Sequence, residues 1–305
     1  MEYPYKPLAE RKPDHQYRTR LQQILRKGVL ASGLPQGEGA LTCFATVPQM
    51  AFDLANGVPL ITERSLKGSW KFAIAELIAF INGARTVDEI ESYGCGPKFW
   101  GAYRGAGLQY GLEPNDMGPG SYGAVFHDYP RAEGGALNQF LSIVEQIRDY
   151  PDVRTHRVVN WRPDFTAPGP ARKVHIAPCH GECHFRVLGG KLNLSMNQRS
   201  ADFPIGVPHN MIQYAALLLM VCQVTDYPPG TYVHGFIGDA HIYENQIGIV
   251  KQLLSRQPRP FPILKLAPET EGFRTPDDLF RFRVEHFTLE EYEPHSPIRD
   301  MPFSA

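Results

Sequence analysis

The stretch Ala177–His184, reading APCHGECH, gathers two cysteines and two histidines. A cysteine acts as a nucleophile through its thiolate, and a nearby cation or polarised donor favours that form. Cys179 has His180 beside it and Arg199 one strand later, so a nucleophilic role is one reading. A small buried strand residue is another, because free cysteine is commonly buried. Zinc held by Cys179, His180, Cys183 and His184 is a third. Against zinc, the spacing is not the usual two-residue hook, and successive strand residues point to opposite faces. A second cluster, NQRSADFPIGVPHN, runs from Asn197 to Asn210. Its Arg199–Ser200 pair suits a phosphate, by a forked charged contact plus a hydroxyl. Asn210 opens a long apolar run, where it is either a helix cap or a site amide. In a third cluster, GDAHIYENQ, His241 and Tyr243 fall on one face of an extended segment. Two polar tips there could grip sugar hydroxyls.

These residues need elements to hold them. Ser69–Asn82, SWKFAIAELIAFIN, predicts a buried helix with one carboxylate, Glu76, in an apolar run, and Gly83 gives it a stop. Helical spacing also appears over Tyr17–Leu30, Leu137–Ile147, Asn210–Val224 and Gln246–Leu254. Short β-rich runs predict strands at His156–Trp161, Lys173–Ala177, Cys183–Leu188, Lys191–Asn197, Thr231–Tyr243, Phe261–Leu266 and His286–Tyr292. Residues 93–136 are Gly-rich and irregular, a pattern that is usually functional or poorly ordered. Helices first, then a sheet interleaved with long helices, predict one α+β domain. Residues 1–16 are an N-terminal arm and 17–305 the domain.

Composition narrows the class. The 305 residues are 43% hydrophobic and 21% charged, with 31 basic and 32 acidic side chains and a net charge of -1. No global field favours nucleic acid or an anionic membrane. Any anionic ligand must be held by locally placed cations. No signal-like segment opens the chain, and the longest apolar run, Ala215–Cys222, is too short to span a bilayer. A cytoplasmic protein with no membrane and no nucleic-acid partner is expected. Five cysteines fit reduced thiols better than a disulfide framework.

Together, PCH, QRSADFPIGVPHN, GDAHIY and LSRQPRPFPILKL, in this order, resemble the thymidylate synthase family over roughly residues 17–305. The resemblance implies a twisted sheet with long helices, and a sheet-to-sheet homodimer with shared active sites. It implies 5,10-methylenetetrahydrofolate as co-substrate, a pyrimidine nucleoside monophosphate as substrate, and no metal. It puts Cys179 at the nucleophile that adds to C6, and Glu76 in the water relay that removes the C5 proton. Tyr122 lies near C5. Arg199 and Ser200 hold phosphate, with Arg154 supplied across the dimer. Asn210 reads the base edge, Asp202 and Gly206 line it, and His241 with Tyr243 hold the sugar. Trp100 and Tyr103 flank the folate, with Asp202 also on that side. The tail from Pro302 to Ala305 closes over ligands.

Departures from the family pattern sharpen the expectation. PQGEG replaces an arginine-bearing loop, with Pro35 at the arginine position, and a paired arginine has become Thr155 beside Arg154. Arg157 is a possible substitute. Tyr103 stands for a tryptophan, and His209, before the base-reading amide, for a phenylalanine. This pattern is similar to the cytidylate hydroxymethylases of mildiomycin-type nucleoside-antibiotic biosynthesis. It implies hydration of a C5 methylene on CMP. Asn210 can serve cytosine or uracil by a flip of its amide, and His209 either fixes that flip or packs beside the helix start. Methylation of dUMP is the alternative. A non-catalytic or RNA-binding relative is disfavoured, because Cys179, Glu76 and Asn210 are all present.

Overall fold

Alternation builds the sheet. Along Lys191–Asp202, Leu192, Leu194 and Met196 are buried while Asn193, Ser195 and Asn197 are partly exposed, the signature of a strand with one core face. The computed structural model describes residues 3, 5–32, 37–299 and 301–302. Its strands are β1 (Val29–Ala31), β2 (Ala40–Phe44), β3 (Met50–Asp53), β4 (Tyr129–Pro130), β5 (Ala136–Leu137), β6 (Arg157–Val158), β7 (His180–Leu188), β8 (Lys191–Asp202), β9 (Pro229–Tyr243), β10 (Ile263–Leu266) and β11 (Phe287–Glu290). Its α-helices are α1 (Gln16–Lys27), α2 (Trp70–Ile81), α3 (Val87–Ser92), α4 (Pro97–Trp100), α5 (Tyr122–His127), α6 (Gln139–Asp149), α7 (Pro163–Thr166), α8 (Gly206–Thr225) and α9 (Ile247–Leu254).

A seven-stranded sheet runs β1-β2-β9-β8-β7-β6, with β3 also on β9. β8 and β9 are parallel, which requires a crossover, and α8 supplies it. The other pairings in this sheet are antiparallel. α8 packs on α2 and β8, and every residue from Asn210 to Thr225 is buried. Leu217, Leu218 and Leu219 are each 0% exposed, and full burial of a leucine contributes roughly 1.5–3 kcal/mol. At 20 residues α8 is long and apolar enough to cross a membrane, unlike the shorter run read from sequence. Yet 94% of the apolar stretch lies inside the fold. The opposite sheet face carries half-buried Glu182, His184, Arg186, Asn193, Ser195 and Asn197, and exposed Ile237 and Phe44.

Several sequence expectations change. Helix α1 stops at Lys27 because Gly28 leaves the helix in extended backbone; Leu30 belongs to β1. Lys173–Ala177 is not a strand. Its backbone bonds outside any strand instead, Lys173 N–H to Phe165 in α7 and His175 N–H to Met117. β6 keeps only two residues of His156–Trp161. The Gly-rich region 93–136 is a run of short helices and turns that ends in the β4–β5 pairing, and α5 within it is buried from Tyr122 to Phe126. Helix α8 starts at Gly206, so Asn210 is one turn inside it and is not a cap. The start of the chain packs on β10. Tyr5 Oη donates to the Leu264 carbonyl at 2.8 Å, and Tyr3 Oη accepts from Leu266 N–H at 2.6 Å. Pro35 lies outside the described residues, as do Phe303, Ser304 and Ala305 of the tail.

Candidate active site

Cys179 sits just before β7, where extended backbone enters the sheet. Two antiparallel neighbours fix it: the Arg199 and Ser200 N–H groups donate to its carbonyl at 2.8 and 3.4 Å. A bulge between His180 and Glu182 follows at once. Gly181 takes φ +105° there, and a side chain would strike Phe126 and the Tyr214 hydroxyl at 2.8 Å. The thiol is half-buried. Arg199 Nη2 lies 3.6 Å from Sγ, which puts positive charge beside the sulfur. The same guanidinium clamps the loop, donating to the Pro178 and Ala177 carbonyls at 2.7 and 2.8 Å. It stacks on Trp161, 4.9 Å from the ring centroid.

The His180 ring turns into the core. Its Nδ1 accepts from the Tyr214 hydroxyl at 2.7 Å, and burial drives its pKa down to about 3. It is therefore neutral, and Arg199 is the cation beside Cys179. The zinc reading also fails geometrically. Cys183 is buried in the core, and His184 Nε2 bonds the Arg154 carbonyl at 3.1 Å. Among the described residues no three His, Cys, Asp or Glu side chains form a metal-binding group.

On the far side of Cys179, Tyr122 accepts the Cys179 N–H at 2.7 Å. Its ring stacks on Phe80 with centroids 4.5 Å apart. Burial raises the phenol well above its ordinary value, so it stays protonated. Glu76 comes from α2, with Trp100 Nε1 donating to its Oε1 at 2.6 Å and Gln213 Nε2 donating to its Oε2. Burial raises the carboxyl pKa, and the two donors oppose the rise. Trp100 and Tyr103 face each other at 5.4 Å, and His175 follows at 5.7 Å. Burial, with Cys179 and Glu76 nearby, lifts the Tyr103 phenol to about 12.

The sheet supplies the remaining groups. In register, Ser200 lies beside Asp239 and Asp202 beside His241, so β8 and β9 present these side chains in adjacent rows. His241 and Tyr243 are 6% and 5% exposed with ring centroids 4.9 Å apart. Asp239 Oδ1 stands 3.6 Å from His241 Nδ1. Asp202 accepts from Ile205 N–H at 3.3 Å and Gln246 Nε2 at 3.2 Å. Burial pushes its carboxyl up. A side chain at Gly206 would stand 3.7 Å from Asp202 and 3.8 Å from Asn210 Oδ1. Its absence leaves that approach open.

Asn210 is held on both sides: Oδ1 accepts from Gln198 at 3.1 Å, and Nδ2 donates to Gln213 at 2.8 Å. His209 takes no part. Its Nδ1 donates to the Ile205 carbonyl at 2.8 Å and its Nε2 accepts from Ser69 Oγ at 2.9 Å. Burial holds it neutral, at about 4. The expectation that His209 could fix the Asn210 flip is therefore corrected, because both ring nitrogens are already engaged elsewhere.

The structure thus gathers Cys179, Arg199, Tyr122, Glu76, Trp100, Tyr103, Asp202, Asn210, His241 and Tyr243 around one end of β8, β9 and α8. Arg154 stands apart, in the exposed turn before β6, and among the described residues its guanidinium makes no ion pair. Arg157 is taken by Glu182. Sequence reading missed Gln198, Gln213, Gln246 and His175. A signal existed for one of them: Gln213 is polar inside the apolar run and falls one turn beyond Asn210. A family model described as thymidylate synthase matches residues 15–304. With that match across nearly the whole chain, the protein belongs to the thymidylate synthase family, whose members transfer a one-carbon unit from methylenetetrahydrofolate to a pyrimidine nucleotide.

Proposed function

We propose that this enzyme is a cytoplasmic pyrimidine nucleotide C5 hydroxymethyltransferase, with CMP preferred, using 5,10-methylenetetrahydrofolate. Support for hydration over hydride transfer comes from one observation. The wall beside Cys179 is Trp100–Tyr103–His175, which offers a protonated phenol and an imidazole whose buried Nδ1 has no partner among the described residues. Such groups can hold water where two indoles would exclude it. The CMP preference and a role in nucleoside-antibiotic biosynthesis rest on the sequence departures at Pro35, Thr155 and Tyr103.

The residues fit a flat pterin against Trp100 and Tyr103, with Asp202 nearby. 5,10-Methylenetetrahydrofolate supplies the carbon. Cys179 adds to C6, which makes C5 nucleophilic. Glu76 receives the C5 proton through water, a task suited to a carboxylate whose pKa burial has raised. Tyr122 orients the nucleophile through its N–H. Arg199 and Ser200 take phosphate, His241 and Tyr243 the sugar, and Asn210 the base edge beside Gly206. As the C5 proton leaves, the bond from the transferred carbon to tetrahydrofolate breaks and leaves a C5 methylene; water adds to that methylene, and the Cys179 thiolate is expelled from C6 as the C5–C6 double bond re-forms. Arg154, which makes no ion pair among the described residues, serves the partner's site in a dimer joined through the polar sheet face.

A uracil nucleotide, with methylation of dUMP, is the second reading, and the Asn210 amide favours it. With Cys179 at C6 and Glu76 serving C5, the C4 substituent falls on the Glu76 side. Asn210 turns its N–H to that side, through Gln213, which complements a carbonyl. Incubation with methylenetetrahydrofolate and each of CMP, dCMP, UMP and dUMP tests both readings. A hydroxymethylated ribonucleotide with tetrahydrofolate release supports the first. A methylated product with stoichiometric dihydrofolate overturns it.

A further inference from the structure

An amide reads a base by its orientation. Uracil presents N3–H and O4, whereas cytosine presents N3 and an amino group. The base accepted therefore depends on what holds the Asn210 amide. Gln213, 0% exposed in α8, holds one side. Its Nε2 lies 2.9 Å from the Ala73 carbonyl, an acceptor that cannot exchange roles, and the same nitrogen donates to Glu76 Oε2. Its Oε1 must then face Asn210, where it accepts from Nδ2 at 2.8 Å.

The other flank obeys the same logic. Gln198 Nε2 donates to the Ser200 carbonyl at 2.9 Å and to Asn210 Oδ1 at 3.1 Å. Gln198 Oε1 accepts from His234 Nε2 at 2.7 Å, and the Tyr232 hydroxyl donates to His234 Nδ1 at 3.0 Å. Two backbone carbonyls, Ala73 and Ser200, thus fix the sense of the whole chain. Turning Asn210 over would set oxygen against oxygen at Gln213 and N–H against N–H at Gln198. Each amide group keeps one hydrogen or lone pair on its front edge, free for a base.

We infer that Gln213 is a specificity-determining residue: it fixes which pyrimidine edge Asn210 accepts and ties that choice to the Glu76 carboxylate. The inference rests on Asn210 being the base-reading amide. Gln213 touches no reacting atom and acts as a positioning residue. A base that demands the opposite sense must break the Gln213 bond, and so disturbs one of the two donors that oppose the rise in the Glu76 pKa.

The test is kcat/KM for CMP and UMP, which share a sugar, with calorimetric Kd values for both nucleotides, in the full-length enzyme. Gln213→Met keeps the length of the side chain and removes donor and acceptor. The ratio between the two bases should fall at least tenfold towards one. Gln213→Glu keeps an acceptor facing Nδ2. It should hold the ratio within about threefold while kcat drops, because two carboxylates then meet. Should Gln213→Met fail to fold, Gln213→Asn withdraws both groups by one methylene and gives the same readout. A ratio within twofold of the parent in a folded Met or Asn variant overturns the inference. Asn210→Ala separates the two layers. An unchanged ratio there means that Asn210 does not read the base. A ratio that collapses in Asn210→Ala but survives in Gln213→Met sinks only the role of Gln213.

Discussion

Replacing Trp100 by phenylalanine removes the indole N–H that donates to Glu76 Oε1 at 2.6 Å and leaves Gln213 as the donor on the other oxygen. A hydrogen bond to a charged group contributes about 1.5–3 kcal/mol, and one pKa unit is about 1.4 kcal/mol. The Glu76 carboxyl, already raised by burial, should rise a further one to two units or so. A relay that needs ionised Glu76 then loses activity as pH falls, and the acid limb of the kcat profile should move up by that amount. Because kcat reports the ternary complex, weaker folate binding through the smaller ring does not distort the limb at saturation. The measurement is tritium release from C5-labelled nucleotide between pH 5 and 9. Stability follows the same sign. A carboxyl raised in the folded state supports folding below its unfolded value and loses that support as pH rises through the folded value. The variant should therefore lose more stability than the parent as pH rises above the ordinary carboxylate range. An acid limb that stays put in a folded Trp100→Phe enzyme refutes the assignment of this carboxylate as the proton acceptor.

Three other outcomes are expected. Cys179→Ala should abolish C5 tritium release while nucleotide binding, read by calorimetry, stays within about tenfold; normal release would remove the nucleophile from the scheme. Mixing Arg154→Ala with Cys179→Ala subunits should restore activity, since one site of each heterodimer keeps both groups; no recovery, with exchange shown by native mass spectrometry, counts against shared sites. Tyr103→Trp should move flux from hydroxymethyl to methyl product or slow hydration, read by product mass beside dihydrofolate absorbance; an unchanged product at an unchanged rate shows that the phenol does not govern water.

The sheet and its site were legible where side chains alternate or where function fixes a motif. Leu192, Leu194 and Met196 announced β8, and Arg199–Ser200 and His241–Tyr243, singled out by their motifs, stand on the adjacent strands β8 and β9. Other features were hidden for physical reasons. Lys173–Ala177 has strand composition but finds no strand to pair with, because the Lys173 and His175 N–H groups go to carbonyls of α7 and of a loop. Strand pairing is a tertiary property that local propensity cannot supply. The helix cap reading of Asn210 failed because α8 begins within GVPH, and proline is tolerated in a first helical turn. The Gln198–Asn210–Gln213 chain joins β8, α8 and α2, so only the assembled core reveals it. His209 lost its expected part for a similar reason: Ser69 and Ile205 meet it only in three dimensions.

The site is built on two kinds of ground. Asn210 and Gln213 belong to a helix with no exposed residue between Asn210 and Thr225, whereas Trp100 and Tyr103 sit in a run of single-turn helices. On the proposed assignment, a change in base recognition is also a change in the core, and it threatens folding before it yields a new substrate. A change at half-buried Tyr103, on the proposed folate side, meets a frame of single-turn helices and leaves more of the core untouched. Lineages built on this scaffold should alter what becomes of the methylene more readily than which base receives it. Directed evolution begun at residue 103 should keep more folded variants than the same effort begun at 210 and 213.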